Sequence, residues 1–176
     1  MQTLDEFSRV MCQLFDFDKI HSRMSVYALD EERQFFYLSG RHSKDLELTK
    51  HRRLKYPVDQ GVLGKALRSD ERCHLGNINA DPNVDIRRYC QELLNDYNIP
   101  EVVAEAFRMK SRSLFAVVIE NDKTQPIAAI VCENTEVNGV PEKIQKVIMN
   151  LRPMFSPLIE SKCLVLSRTF AKEREM

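Results

Sequence analysis

Two consecutive apolar runs place the strongest constraint on the fold. Residues 113–120 (SLFAVVIE) and 127–133 (IAAIVCE) are rich in β-branched side chains, and a turn-forming cluster separates them, Asn121 to Pro126. The apolar character of both runs is continuous rather than alternating, which means that each strand is covered on both faces. The sequence therefore predicts two central strands of a sheet that carries other elements on both sides.

A β-hairpin is predicted near the start of the chain. Residues 22–29 alternate between the two faces of a strand, and residues 34–40 form a second β-rich run that contains Phe35, Phe36 and Tyr37. A polar turn, Asp30 to Arg33, connects the two segments. These strands enlarge the predicted sheet.

Both ends of the chain have the apolar spacing of amphipathic helices. The two stripes comprise Leu4, Phe7, Met11 and Leu14 at one end and Ile144, Ile148, Leu151, Phe155 and Leu158 at the other. Pro153 and Pro157 interrupt the second stripe, which predicts either a kink or a new helix capped by Ser156. We expect the two helices to pack side by side on one face of the sheet and to present apolar surface to a second copy, so that the protein is a homodimer. The alternative is that both stripes only cover the sheet.

Residues 56–82 connect the hairpin to the rest of the sheet through a tight turn. The pattern predicts a short strand, a helix that begins at Gly61, a second short strand around residues 74–78, and a further helix with Asp81 as N-cap and Pro82 in its first turn. We expect Gly61 to adopt a positive φ and Gly64 to let its helix approach the sheet. The last of these helices extends to about residue 95, and helical turns follow within residues 101–109.

The composition excludes several classes of partner. The 26 basic and 26 acidic residues balance, so the chain lacks the field that draws proteins to nucleic acid or anionic membranes. No run has the length of a membrane span, and the start of the chain has no signal-peptide pattern, so a cytoplasmic location is expected. The five cysteines form no C-x-x-C pair and no histidine has a ligand at metal spacing, which favours reduced thiols and no metal.

Basic residues concentrate in two places, for which solvent exposure is the simpler interpretation in a neutral chain. The groups are Lys50, His51, Arg52, Arg53 and Lys55, and Arg87, Arg88, Arg108, Lys110 and Arg112. If two members of the second group turned inward over a pocket, they would favour a carboxylate or phosphate ligand.

The order of elements and four motifs resemble the GAF domain family. The motifs are YPVDQGVLGKALRS, NINADP, RSLFAVVIE and PIAAIVCENTEV, which supply the family's G-x-x-G-x-A helix, its Asp-containing turn and its Arg-Ser-Leu strand. The matching positions are Gly61, Gly64, Ala66, Asn79, Asp81, Arg112, Ser113 and Leu114. The resemblance covers residues 4–166 of one domain, 1–176, whose last ten residues are expected to be a helical tail.

The resemblance implies an α+β fold with an antiparallel sheet of five or six strands, terminal helices on one face and a ligand pocket on the other. It places the pocket between the sheet and the Gly61 helix. The implied ligand-binding residues are Tyr37, Gly61, Val62, Gly64, Asn77, Asn79, Asp81, Val117 and Cys132. The cofactor remains unknown, and the expected ligand is a small polar or anionic molecule whose binding is signalled through the terminal helices.

Two other functions remain open at this point. A dimerisation or scaffold module would fill the pocket with its own side chains, such as Phe35, Phe36 and Phe115. Free methionine sulfoxide reductases are GAF enzymes that use cysteines around the pocket, for which Cys73, Cys90 and Cys132 are the candidates. Bilin-binding GAF domains attach their chromophore to a cysteine that is followed by a histidine, and Cys73-His74 is such a dipeptide. The N-K-x-x-F-x-x-x-D-E pattern of cyclic-nucleotide-binding GAF domains is absent from this sequence. A catalytically inactive module is expected, because a redox cysteine needs an exposed, low-pKa thiolate.

Overall fold

The computed structural model describes residues 2–50 and 53–174, and its side chains from 4 to 50 and from 53 to 161. The elements within these ranges are α1 (Gln2–Leu14), β1 (Ser22–Leu29), β2 (Phe35–His42), α2 (Leu46–Thr49), β3 (Lys55–Pro57), α3 (Gly61–Arg68), β4 (Cys73–Asn77), α4 (Ile86–Tyr97), α5 (Glu101–Glu105), β5 (Ser113–Glu120), β6 (Pro126–Asn134) and α6 (Glu142–Arg174). His51 and Arg52 of the first basic group, Cys163, and the whole expected tail (167–176) lie outside the described side chains.

The strands form one six-stranded antiparallel sheet in the order β3-β2-β1-β6-β5-β4. The predicted hairpin is present as β1 and β2, and the two continuous apolar runs are β5 and β6. Every residue from Ser113 to Ile119 is buried, as expected for a strand covered on both faces. The prediction of an α+β fold with five or six antiparallel strands is confirmed.

The first face of the sheet packs against the two terminal helices. Leu4 and Met11 of α1 and Ile144 and Ile148 of α6 share a core with strand residues such as Val26. The helices also meet each other, because the rings of Phe7 and Phe155 make an edge contact with their centroids 5.2 Å apart. The predicted placement of both terminal helices on one face is confirmed.

The second face packs against α3, α4 and α5. Their buried apolar side chains form a separate core with residues that alternate with the first set along the same strands, for example Tyr27 and Val131. The alternation follows from the two-residue period of a strand. β1 and β6 therefore contact both layers of the molecule.

The start of α4 differs from the prediction. Asp81 opens a turn and accepts from the N–H of Asn83, whereas the helix begins at Ile86 with Asp85 as its N-cap, whose carboxylate accepts from the N–H of Arg88. Both aspartates are short side chains that satisfy nearby backbone donors, so sequence alone does not distinguish between them. Ile86 lies at this first turn and is 37% exposed.

The final helix continues through both prolines. Pro153 and Pro157 lie inside α6, and the Ser156 hydroxyl donates to the carbonyl of Glu120 at 2.7 Å instead of capping a new helix. Phe155 and Ile159 on the same segment are buried against the sheet. The tertiary contacts thus offset the local cost of two prolines, and the expectation of a new helix at Ser156 is wrong.

Candidate functional site

A cavity of about 170 Å³ lies between the second face of the sheet and the elements that cover it. α3 and α4 form its roof, and α2 and the segment after α5 border its mouth. α3 begins at the cavity, where Gly61 has a φ of +68°, as predicted. Gly64 contacts the turn after β3 rather than the sheet, since a Cβ atom there would lie 2.7 Å from the carbonyl oxygen of Val58.

The floor of the cavity is polar. Arg23 and Tyr27 of β1 point to it, and their cross-strand neighbours include Glu133 of β6, paired with Arg23. Ser25, which lies between them on the same face, is paired with Arg41 of β2. The sheet thereby brings two arginines, a carboxylate and hydroxyl groups to one surface.

A β-bulge in β2 directs Arg41 to this surface. Val26 is paired with Gly40 and Tyr27 with Leu38, so the intervening Ser39 is an extra residue on β2. Leu38 therefore packs in the cavity-side core, whereas a Cβ at Gly40 would point at Leu4 of α1 on the opposite face. Without the bulge Arg41 would point away from the cavity, because a shift of one residue reverses the side of every side chain.

Glu133 is fully engaged within the floor. Its Oε2 accepts from Nε and Nη2 of Arg23 at 2.8 and 2.7 Å, and its Oε1 accepts from the hydroxyl of Ser111 at 3.0 Å. The Tyr89 hydroxyl, on α4 in the roof, donates to the Ser111 carbonyl at 3.0 Å. The charge of Arg23 is therefore neutralised by a partly buried ion pair.

Arg41 has different partners. Its Nε donates to the Ser25 hydroxyl at 3.0 Å and its Nη2 to the Tyr27 hydroxyl at 3.2 Å, and the Tyr56 hydroxyl interacts with the same guanidinium. Arg41 is only 6% exposed, and no carboxylate among the described residues forms an ion pair with it. Burial disfavours its charge, but interactions with Tyr27, Tyr56 and Glu133 outweigh burial and raise the pKa of Arg41. The group is a buried cation among neutral hydroxyls.

The roof is mainly apolar. Leu93 and Tyr97 of α4, with Val62 and Leu63 of α3 and Ile99 after α4, face the polar floor. Burial raises the pKa of Tyr97 to about 12, so its hydroxyl stays neutral at physiological pH. The cavity thus has a charged wall opposite an apolar one.

Charged side chains surround the mouth. Glu47 of α2 forms ion pairs with Lys50 and with Arg108, which follows α5. Arg53 donates to Gln60 Oε1 at 3.3 Å and lies over the Tyr56 ring, 4.7 Å from its centroid. The described lining contains five basic residues and two acidic ones, so its charge is positive although the whole chain is neutral. Lys50 and Arg108 are solvent-exposed, as expected, and they also belong to this lining, together with the partly buried Arg53.

Two of the predicted ligand-binding residues, Gly61 and Val62, line the cavity. Asn77 instead exchanges hydrogen bonds with Asn138, at 2.7 and 2.9 Å, and Asp81 accepts from Arg112 at 3.3 Å. The N–H of Asn79 donates to Glu92 at 2.8 Å. These three residues hold the β4–α4 connection in place and lie outside the cavity lining.

The other predicted residues also lie elsewhere. Tyr37 is half-buried on β2, between the inward-facing Phe36 and Leu38, and is not among the lining residues. Val117 and Cys132 belong to the core beneath α1 and α6, so the prediction that they form pocket walls is wrong. Because both strands are apolar throughout, the sequence does not show which of their alternating side chains face the cavity and which face the terminal helices.

The described cysteines lie outside the cavity lining. Cys12, Cys90 and Cys132 are buried, and burial raises the pKa of all three thiols, to about 12 for Cys12. Cys73 is partly exposed on β4, and its thiol pKa is raised by desolvation and by Glu71. None of these four thiols combines exposure with a lowered pKa.

The described residues lack two other kinds of feature. No group of three or more His, Cys, Asp or Glu side chains is arranged to hold a metal ion. No helix in that part of the chain is both long and apolar enough to cross a membrane.

Comparisons with known proteins identify the fold. No protein-family model and no curated protein matches the sequence. Among solved structures, a GAF domain has a TM-score of 0.60 at 12% identity, covering 88% of this chain and 73% of that one. The GAF domain of a Bacillus halodurans two-component sensor histidine kinase has a TM-score of 0.56 at 12% identity, covering 90% and 94%.

Enzymes share this architecture. Free methionine-R-sulfoxide reductase from Neisseria meningitidis, solved with its substrate, has a TM-score of 0.58 at 15% identity, covering 94% of this chain and 78% of the enzyme. Fold similarity at such low identity does not distinguish sensors from enzymes. The sheet order, the two helical layers and these similarities together show that the chain has the GAF fold.

Proposed function

We propose that this protein is a non-catalytic sensory or regulatory module whose cavity binds a small polar or anionic molecule. The main support is the cavity itself, which combines an apolar roof with a buried arginine that lacks a carboxylate partner among the described residues. A concave site with a few convergent polar groups is typical of small-molecule binding. Structures with the same fold include the GAF domain of a two-component sensor histidine kinase and GAF domains of two phosphoenolpyruvate-protein phosphotransferases.

Binding can reach the terminal helices through β1 and β6. Arg23, Tyr27 and Glu133 face the cavity, whereas their neighbours Met24 and Cys132 pack under α1 and α6. A ligand that displaces these strands slightly would change the position of α1 and α6 on the sheet. It would act as a signal if it bound two arrangements of the helices with different affinity.

A scaffold module is the alternative from another class. The side chains expected to fill its pocket do not do so, because Phe36 packs in the cavity-side core, Phe115 lies on the other face, and Phe35 is partly exposed beside Lys55. A thiol enzyme is the second alternative, and the position of the four described cysteines outside the lining argues against it.

A thermal-shift screen of the whole chain tests the proposal. The compounds are inorganic phosphate, nitrate, small carboxylates, amino acids, nucleotides and neutral amides. A ligand at a hundred times its dissociation constant stabilises by about 2.7 kcal/mol, and each kcal/mol raises the melting temperature of a domain this size by about 2–4 °C. At least one compound class is expected to give such a shift.

The variant Ala106→Phe connects such a shift to the cavity. Ala106 is exposed at the mouth, so a larger side chain there should obstruct entry without overpacking the core. Val102→Phe, on the exposed surface of α5, is the matched control. The proposal fails if no class shifts the melting temperature, or if Ala106→Phe and Val102→Phe bind equally well.

A further inference from the structure

The geometry points to the chemical class of the ligand: we infer that the cavity takes a small monocarboxylate with an apolar body, and that Arg41 binds its carboxylate. This inference rests on the proposed function and specifies the ligand of the same cavity. It depends on the charge balance of the floor, the shape of the Arg41 group and the apolar roof.

Arg41 is the arginine of the floor that has no ion-pair partner among the described residues. The Arg23 guanidinium already has Glu133, whose oxygens accept from Arg23 and Ser111. Arg41 has the hydroxyls of Ser25, Tyr27 and Tyr56. Three neutral hydroxyls face a guanidinium with five N–H donors. A buried charge of this kind is costly unless an anion joins it.

The charges favour a single negative charge on the ligand. A carboxylate matches the planar fork of a guanidinium with two parallel hydrogen bonds. A phosphate monoester carries nearly two negative charges at neutral pH. Glu133, whose charge acts on Arg41, would repel the second one. A monocarboxylate therefore suits this floor better than a phosphate.

The size and the roof define the rest of the ligand. A dry cavity of about 150 Å³ holds a benzene-sized molecule in another protein, and this cavity measures about 170 Å³. The apolar roof includes Leu93 and Ile99, and Leu114 of β5 adds an apolar side chain from the sheet. They would cover a ring or a short branched chain while the carboxylate lies against the floor.

The test uses the whole chain and matched pairs of compounds. Benzoate and benzamide have the same size and shape but differ in charge, and cyclohexanecarboxylate and its amide form a second pair. Their affinities are measured by calorimetry and by thermal shift, with inorganic phosphate as a competing anion. Each carboxylate is expected to bind at least about tenfold more tightly than its amide, the usual scale of a charge-assisted hydrogen bond.

Arg41→Gln should abolish the preference for the carboxylate over the amide. Arg72→Gln is the matched control, because Arg72 is also partly buried, is paired with Glu120 and lies outside the lining. It should retain the preference even if it lowers stability. If Arg41→Gln does not fold, Arg41→Lys is the second variant, because it keeps the positive charge but lacks the planar guanidinium. In the native protein, the guanidinium NMR resonances of Arg41 should shift when benzoate is added.

The outcomes separate this inference from the proposed function. Equal binding of acid and amide, tighter binding of phosphate, or a folded Arg41→Gln protein that keeps the preference would overturn the monocarboxylate. The proposed function would survive if another compound class bound and Ala106→Phe blocked it. If no compound class bound at all, both would fail together.

Discussion

Two arginines of the cavity floor carry the same charge in different surroundings. Arg23 lies beside the Glu133 carboxylate, whereas Arg41 lies beside hydroxyl groups. This difference in partners cannot be inferred from the residue types, since both arginines occupy polar positions on neighbouring strands. The partner across the sheet decides which charge is compensated, because cross-strand neighbours approach closely enough to bond.

The thiols provide a prediction at the residue scale. The raised pKa values of Cys12, Cys73, Cys90 and Cys132 mean that each thiolate is scarcer at pH 8 than that of a free cysteine. Alkylation by iodoacetamide should therefore be slow at pH 7–8 and accelerate as the pH rises above 9. Cys73, which is partly exposed, should react before the three buried thiols.

Mass spectrometry of the peptides measures this order, with Cys163→Ser removing the thiol outside the described side chains. Cys73→Ser should eliminate the first phase of the reaction. Rapid alkylation of any of the four at pH 7 would contradict the prediction and would revive the thiol-enzyme alternative.

At the scale of the elements, α1 packs on β2 with almost no space between their backbones. A Cβ at Gly40 would lie 2.5 Å from the carbonyl carbon and the Cβ of Leu4. The adjacent bulge at Ser39 determines that Gly40 faces α1 while Arg41 faces the cavity. One irregularity in a strand thus serves both the helix contact and the site.

Gly40→Ala should lower the free energy of unfolding by about 1–3 kcal/mol, since backbone atoms of α1 have to move to admit the methyl group. Urea denaturation followed by circular dichroism measures the change. Gln13→Ala, on the exposed face of α1, is the control and should have little effect. An unchanged midpoint for Gly40→Ala would show that α1 can shift without loss of packing.

The whole molecule has two faces with different properties. The cavity lies under α3 and α4, and the terminal helices on the other face expose apolar side chains. Leu14 and Met154 are 66% and 71% exposed, and Val10 and Leu158 are exposed close to the contact of Phe7 with Phe155. Exposed apolar side chains grouped in this way often form an interface.

We propose that α1 and α6 form the interface of a homodimer. Light scattering at tens of micromolar protein should give twice the mass of the 20.5 kDa chain. The pair Leu14→Glu and Met154→Glu should yield a monomer, because burying the introduced charges is costly. Val84→Glu, at an exposed position before α4, should leave the dimer intact. A native protein of monomer mass under these conditions would refute the interface.

The sequence by itself determined the central strands, the hairpin and the terminal helices, and the common face on which those helices pack. The continuous apolar runs of β5 and β6, the alternating hairpin and the amphipathic terminal helices specify local structure, because their periods match those of strands and helices. The conformation of Gly61 was also predictable from local sequence, because residues other than glycine rarely adopt a positive φ. These signals lie within short segments and need no knowledge of distant contacts.

The tertiary structure alone decided which side chains form the site. Arg41 faces the cavity because of the β-bulge at Ser39, which has no recognisable signal in the sequence. Lys50, Arg53 and Arg108 come from distant segments and meet at the mouth of the cavity. Val117 and Cys132 face the terminal helices because register assigns the two faces of an apolar strand. A neutral chain thereby acquires a positively charged cavity, since charge balance is a property of the whole sequence and a site is a property of its packing.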